Sequence, residues 1–222
     1  MDSVTRNVRT YDHFCTLARA LERVGDRWNL LVIRDLITGP KRFTDLMERL
    51  GGITPKTLSL RLRELEDDGI VTADREPGRR EVWYRLTPAG ADLGPVVDTL
   101  NWWGLRHAWR WPQAGEPLHA EHLLRAAIQA IDLAAGDHKP ARWHFRLDGA
   151  DYLAESDGRQ WSITAKSSPS APADVTITGT TQSLATLIFS GSDLGIDITG
   201  TPAAVQRFRR LMSTLATVVE HS

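Results

Sequence analysis

The chain has 222 residues, with 27 Lys and Arg against 28 Asp and Glu, 25% charged and 41% hydrophobic residues. These are globular values, and they exclude a disordered acidic or basic tail. No apolar run approaches the ~18 residues of a membrane span, and the start holds no signal-peptide core. The single cysteine, Cys15, excludes an internal disulfide and a cysteine-rich zinc framework. The expectation is a cytoplasmic protein with no membrane partner, no metal and no cofactor.

Leu17, Leu21, Val24, Trp28, Leu31 and Leu36 recur at helical spacing from 16 to about 36 and predict one buried face. Gly25-Asp26 divides that stretch into two helices. Gly39-Pro40 stops it, and a short helix over 44–50 ends in the turn Gly51-Gly52. Thr54 reads as an N-cap and Pro55 as the first residue of a helix running to Asp68, with Gly69 closing it. Strand-like runs at 70–73 and 82–86 flank the basic hairpin tip Glu76-Pro77-Gly78-Arg79-Arg80. Thr87-Pro88 opens a helix from 89 to about 111.

Residues 112–117, rich in Pro and Gly, read as a linker. Beyond them the pattern changes to a helix over 118–135 and short strands at 141–147, 152–155, 160–165 and 173–178. A helix at 180–189, a strand at 194–199 and a closing helix at 202–219 follow. Two domains are therefore expected, 1–111 and 118–222, the second an α+β fold around an antiparallel sheet.

Helix, short helix, turn, helix and basic-tipped hairpin is the order of a winged helix-turn-helix. On a helical wheel Leu58 and Leu65 lie within about 60° of Leu62 and mark the core side. Lys56, Thr57, Leu60 and Glu64 fall opposite, with Arg61 and Arg63 on the flanks. A helix laid in a major groove shows its outer pole to bases and its flanks to phosphates. Lys56, Thr57 and Leu60 are thus candidate base contacts and Arg61 and Arg63 candidate phosphate contacts. Thr54 stands at the helix N-terminus, where backbone N–H groups suit phosphate. Lys41 and Arg42 before the preceding helix, and Arg79 and Arg80 at the wing tip, complete the candidate DNA surface.

Several motifs carry a resemblance: Cys15-Thr-Leu-Ala-Arg-Ala-Leu, Val24-Gly-Asp-Arg-Trp28, Gly39-Pro-Lys-Arg-Phe43, Ile53-Thr-Pro55, Leu58-Ser-Leu-Arg-Leu-Arg-Glu-Leu65 and Tyr84-Arg-Leu-Thr-Pro-Ala-Gly90. Over about 12–110 the chain resembles HxlR-type winged-helix transcription regulators. The resemblance implies a bacterial regulator that binds double-stranded DNA as a homodimer, with a dimer surface built from the N-terminal segment and the 89–111 helix. It also implies a redox-sensing role for Cys15, against which stands the bland reading of an inert, buried thiol.

Many family members end after the winged helix, and this chain continues. Its tail looks like a sterol-carrier-protein-like domain, with an apolar cavity under a small sheet. Trp143, Phe145, Trp161, Ile163, Val175 and Ile177 alternate along their strands and, with Leu187, form a candidate face for a small apolar ligand. Trp102, Trp103, Trp109 and Trp111 crowd one segment and read as an interface. His119 and His122 lack a third ligand and read as solvated. Asp148, Asp151, Glu155 and Asp157 sit by turns, where such residues bond locally. No triad, phosphate loop or metal set appears, so the expectation is not an enzyme. The alternatives are an enzyme or ligand carrier in the tail recruited by the winged helix, and a protein–protein module.

Overall fold

The computed structural model describes residues 10–75, 81–134, 137, 139–165 and 172–220. The chain divides into two units, Met1–Val97 and Asp98–Ser222. The division falls upstream of the 112–117 segment that the sequence marks as a linker.

In the first unit α1 (Thr16–Val24) and α2 (Asn29–Ile37) are separate helices, as the Gly25 break implies. A two-residue strand β1 (Lys41–Arg42), invisible in the sequence pattern, precedes α3 (Phe43–Leu50) and α4 (Pro55–Asp67). Strands β2 (Val71–Asp74) and β3 (Trp83–Leu86) then pair antiparallel, in sheet order β1-β3-β2. The tip between them lies outside the described residues. Val32, Ile33, Leu36, Leu46, Leu58, Leu62, Leu65 and Val71 form the core.

Helix α5 (Pro88–Ala91) is set by the Leu-Thr-Pro-Ala-Gly run. Thr87 caps it, its hydroxyl accepting the Gly90 N–H at 3.1 Å. The Thr87 N–H in turn donates to the Ile70 carbonyl at 3.0 Å. Gly90 lies so close to that carbonyl that any side chain there would strike it.

Two sequence expectations change here. The predicted 89–111 helix is two helices, α5 and α6 (Gly94–His107), because Pro95 cannot donate a backbone bond and suits only a first turn. The predicted inner face of α1 is only half covered: Val24 is buried, but Leu17 is 65% exposed and Leu21 39%. Periodicity marks an apolar stripe without naming what covers it.

One buried charge ties α2 to α3. The Asp35 side chain is 0% exposed and accepts Arg49 Nε at 2.7 Å and Arg34 Nη2 at 2.9 Å. Asp35→Ala leaves two arginines beside a void, and is expected to lower stability by about 3 kcal/mol in urea denaturation.

The second unit packs α7 (Ala120–Ala134), α8 (Thr181–Ser190) and α9 (Pro202–Glu220) around one core with a five-stranded sheet. The strands are β4 (Ala141–Leu147), β5 (Ala150–Ser156), β6 (Trp161–Ala165), β7 (Val175–Gly179) and β8 (Asp197–Gly200), in order β6-β5-β4-β7-β8. The sheet is mixed rather than antiparallel throughout. β4 and β5 form a hairpin, and β7 joins the other side of β4 in parallel, Trp143 opposite Val175 and Phe145 opposite Ile177. Period-two alternation is the same for both pairings, so the sequence does not distinguish them.

Alternation does place Trp143, Ala154, Ile163 and Val175 in one row and Phe145, Tyr152, Ile177 and Ile198 in the next. That face is filled by the protein's own side chains. Trp143 meets Phe208 edge-on at 5.0 Å and Trp161 at 4.5 Å. Phe145, Val175, Ile177 and Leu187 are buried in the same cluster, with Leu124, Leu211 and Leu215. An apolar dimple lined by Leu105, Ala126, Ala130, Ile188 and Leu215, among others, has no room for a water molecule.

Asp137 ties the α7–β4 connection to α9. Its side chain, 7% exposed, accepts Arg207 Nε and Nη2 at 2.9 Å and Arg210 at 3.2 Å. The Arg207 hydrogen bonds hold the carboxyl below its ordinary range. A depressed folded-state pKa stabilises above the unfolded value and is lost as pH falls through the folded one. Asp137→Asn is therefore expected to melt lower than the parent at neutral pH, with the gap closing as pH falls below the ordinary aspartate range and the parent's carboxylate protonates.

Candidate nucleic-acid interface

Helix α4 is built by its ends and its leucines. Thr54, in extended conformation, accepts the Thr57 N–H on its hydroxyl at 3.2 Å, and Pro55 occupies the first helical position. Leu58, Leu62 and Leu65 are buried at 0%, 2% and 0% exposure. Lys56, Leu60 and Arg63 are exposed, and Leu60 leaves 43% of its surface in water. Thr57 is half-buried, its hydroxyl 2.8 Å from that of Thr54.

The other expected contacts are engaged within the protein. Arg61 has a side chain only 17% exposed, with Nη1 3.1 Å from Asp26 and 2.8 Å from Glu64. Arg42 donates to Asp45 and to Glu81 at 3.0 Å each, and its guanidinium lies 5.5 Å over the Trp83 ring. Those hydrogen bonds hold the Asp45 carboxyl below its usual range. Arg42 and Asp45 also close a reciprocal cap on α3. Lys41 Nζ donates to the Thr38 hydroxyl at 3.1 Å and the Gly39 carbonyl at 3.2 Å. Arg79 and Arg80 lie outside the described residues.

Sequence reasoning passed over Trp83, which β3 holds on the outer side of the wing sheet while Tyr84 and Leu86 pack on the core. Strand alternation next to Tyr84 was the signal for it. Cys15 is half-buried at the N-cap of α1.

The expected tail sites resolve into structural contacts. Trp109 stacks on Phe189 at 3.8 Å, and Trp111 stands edge-on to both. Trp102 packs on the core, whereas Trp103 is 58% exposed. Asp148 accepts the Thr181 N–H and hydroxyl at the start of α8, and Asp157 accepts the amides of Arg159 and Gln160. Asp151 pairs with His144 at 2.7 Å, and Glu155 with Arg142 at 2.7 Å. His119 and His122 meet edge-on at 5.2 Å. Among the described residues no three His, Cys, Asp or Glu gather to hold a metal, and no helix is long and apolar enough to cross a membrane.

An uncharacterized HTH-type transcriptional regulator of Mycobacterium tuberculosis H37Rv is 42% identical over 110 residues, 48% of this chain and 66% of its own length. Bacillus subtilis YybR, also an uncharacterized HTH-type regulator, is 33% identical over 105 residues, 46% of this chain and 82% of its own. The HxlR-like helix-turn-helix pattern matches residues 23–111. The chain belongs to the HxlR-like helix-turn-helix family. A solved structure of the redox regulator HypR, in its oxidized form, is 33% identical, covers 44% of this HxlR-like chain and all of its own, and has a TM-score of 0.40.

The cap of α4 gives a direct test of how this HxlR-like helix is held. Thr54→Ala is expected to cost about 1 kcal/mol in urea denaturation, and Thr54→Ser to restore most of it.

Proposed function

We propose that this chain is a transcriptional regulator, not an enzyme, that binds double-stranded DNA as a homodimer, with α4 in the major groove and the wing beside it. One observation carries the reading. α4 commits Leu58, Leu62 and Leu65 to the core and turns Lys56, Leu60 and Arg63 to solvent on its other sides. Family membership supports the same direction. Leu60 is suited to a thymine methyl, and Lys56 and Arg63 to base edges and phosphates. Thr54 and Thr57 stand at the helix N-terminus; Lys41, and Arg79 and Arg80 from the sequence alone, are the further candidate phosphate contacts, while Arg42 would have to leave Asp45 and Glu81 to serve as one.

The exposed Leu17 and Leu21 of α1, with Phe14 before it, support a second copy as the partner. α6 adds Val96, Leu100 and Trp103, exposed at spacings of four and three. For the second unit, element order supports a sterol-carrier-like fold, whereas the filled inner face at Trp143, Phe145, Val175 and Ile177 favours a scaffold over a ligand cavity. A small apolar ligand there requires those rings to move apart. Cys15 as a redox sensor rests on the family resemblance.

The test is selection of duplexes from a random-sequence library by the full chain, followed by titration at several salt concentrations. The expected motif is an inverted repeat with half-sites about one helical turn apart, or a multiple of it. Lys56→Ala and Arg63→Ala are read against the salt slope, a phosphate contact lowering it by about one. Enrichment of no duplex overturns the reading, and a bound protein or a turned-over substrate would replace it.

A further inference from the structure

Arg61 sits where a phosphate contact is expected, yet its surroundings assign it other work. Asp26 lies in the turn between α1 and α2. One of its carboxylate oxygens accepts the Trp28 N–H at 3.0 Å and the other meets Arg61 Nη1 at 3.1 Å. The turn thus fixes the carboxylate that Arg61 reaches. Glu64, one turn along α4, approaches the same nitrogen at 2.8 Å. Arg61 Nε is buried and, among the described residues, has no hydrogen-bond partner. Both carboxylates are thus met through Nη1, and the side chain as a whole is only 17% exposed.

Drawing Arg61 out to a phosphate would strand both carboxylates beside a third negative group. That exchange gives up two carboxylate contacts, made by a guanidinium side chain only 17% exposed, for one contact to phosphate. A second tie runs alongside, from Arg23 in the last turn of α1 to Asp68 at the C-cap of α4, at 3.3 Å. The two pairs meet α4 near its middle and at its end.

We propose that Arg61 is a positioning residue: through Asp26 it sets the angle of α4 against the 25–28 turn, and Lys56, Leu60 and Arg63 then meet DNA in register. This rests on the DNA-binding reading above. The role belongs to selectivity among duplexes, not to the count of phosphates neutralised.

The experiment is a double-mutant cycle on the full chain with Asp26→Ala, Arg61→Ala and the two together. The probes are a duplex enriched by the parent protein and a scrambled duplex of the same length, each titrated across salt. All three variants are expected to lose about tenfold in preference for the enriched duplex, by the same factor, because two residues acting as one pair are not additive. The salt slope stays unchanged. Thermal melts identify any variant that fails to fold, and Asp26→Asn with Arg61→Gln then gives the same cycle at nearly constant volume. A slope lowered by about one in Arg61→Ala alone, losses that add, or no loss of preference each overturns the inference. If the parent enriches a duplex and these results follow, only the positioning role fails. If the parent enriches none, the DNA-binding reading fails and takes this role with it.

Discussion

The burial of Leu58, Leu62 and Leu65 decides what the rest of the first unit can do. A helix of thirteen residues that gives one stripe to the core has a fixed orientation about its own axis. Every other side chain on α4 then either faces a neighbour or faces water. Arg61 falls toward the 25–28 turn and is taken up by Asp26, while Lys56, Leu60 and Arg63 fall away from it. The buried Asp35, held between Arg34 and Arg49, does the corresponding work for α2 and α3. Hydrophobic burial supplies the driving force, and charge pairs, fully buried at Asp35 and partly so at Asp26, fix the geometry in which it is collected.

The second unit obeys a different constraint. One face of its sheet carries aromatic and branched side chains and is closed by α7, α8 and α9. Its other face carries Arg142 paired with Glu155 and His144 with Asp151. His144 and Leu153 are nonetheless buried there, directly opposite one another across β4 and β5. Long charged side chains flank them, and such side chains cover apolar surface with their stems. The Trp143 and Phe208 pair adds about 0.5–1.5 kcal/mol beyond its buried area.

Legibility in the sequence tracks how local the cause is. Thr54-Pro55 and the leucine spacing are local signals, and α4 lies where they put it. Gly25 and Gly39 are equally local punctuation. Pro95 carried the same kind of signal for the start of α6, but the apolar run around it masked the break. Leu17 and Leu21 read as core because a stripe looks the same whether this chain or another covers it. Strand direction in β7 has no local signature at all. The candidate site divides the same way: the outward pole of α4 is a matter of helical angle and was readable. The engagement of Arg61 by Asp26 and of Arg42 by Glu81 depends on neighbours 35 and 39 residues away.

The parallel pairing of β4 with β7 also sets an order of events during synthesis. β5 follows β4 at once, so the hairpin closes locally. The second neighbour of β4 is 32 residues further on, Val175 opposite Trp143, and Phe208 arrives later still. Until those segments leave the ribosome, a nascent chain presents an unpaired strand edge and an uncovered indole together. Such surfaces join other chains readily. The first unit, whose core residues all precede Asp98, is complete before that exposure begins.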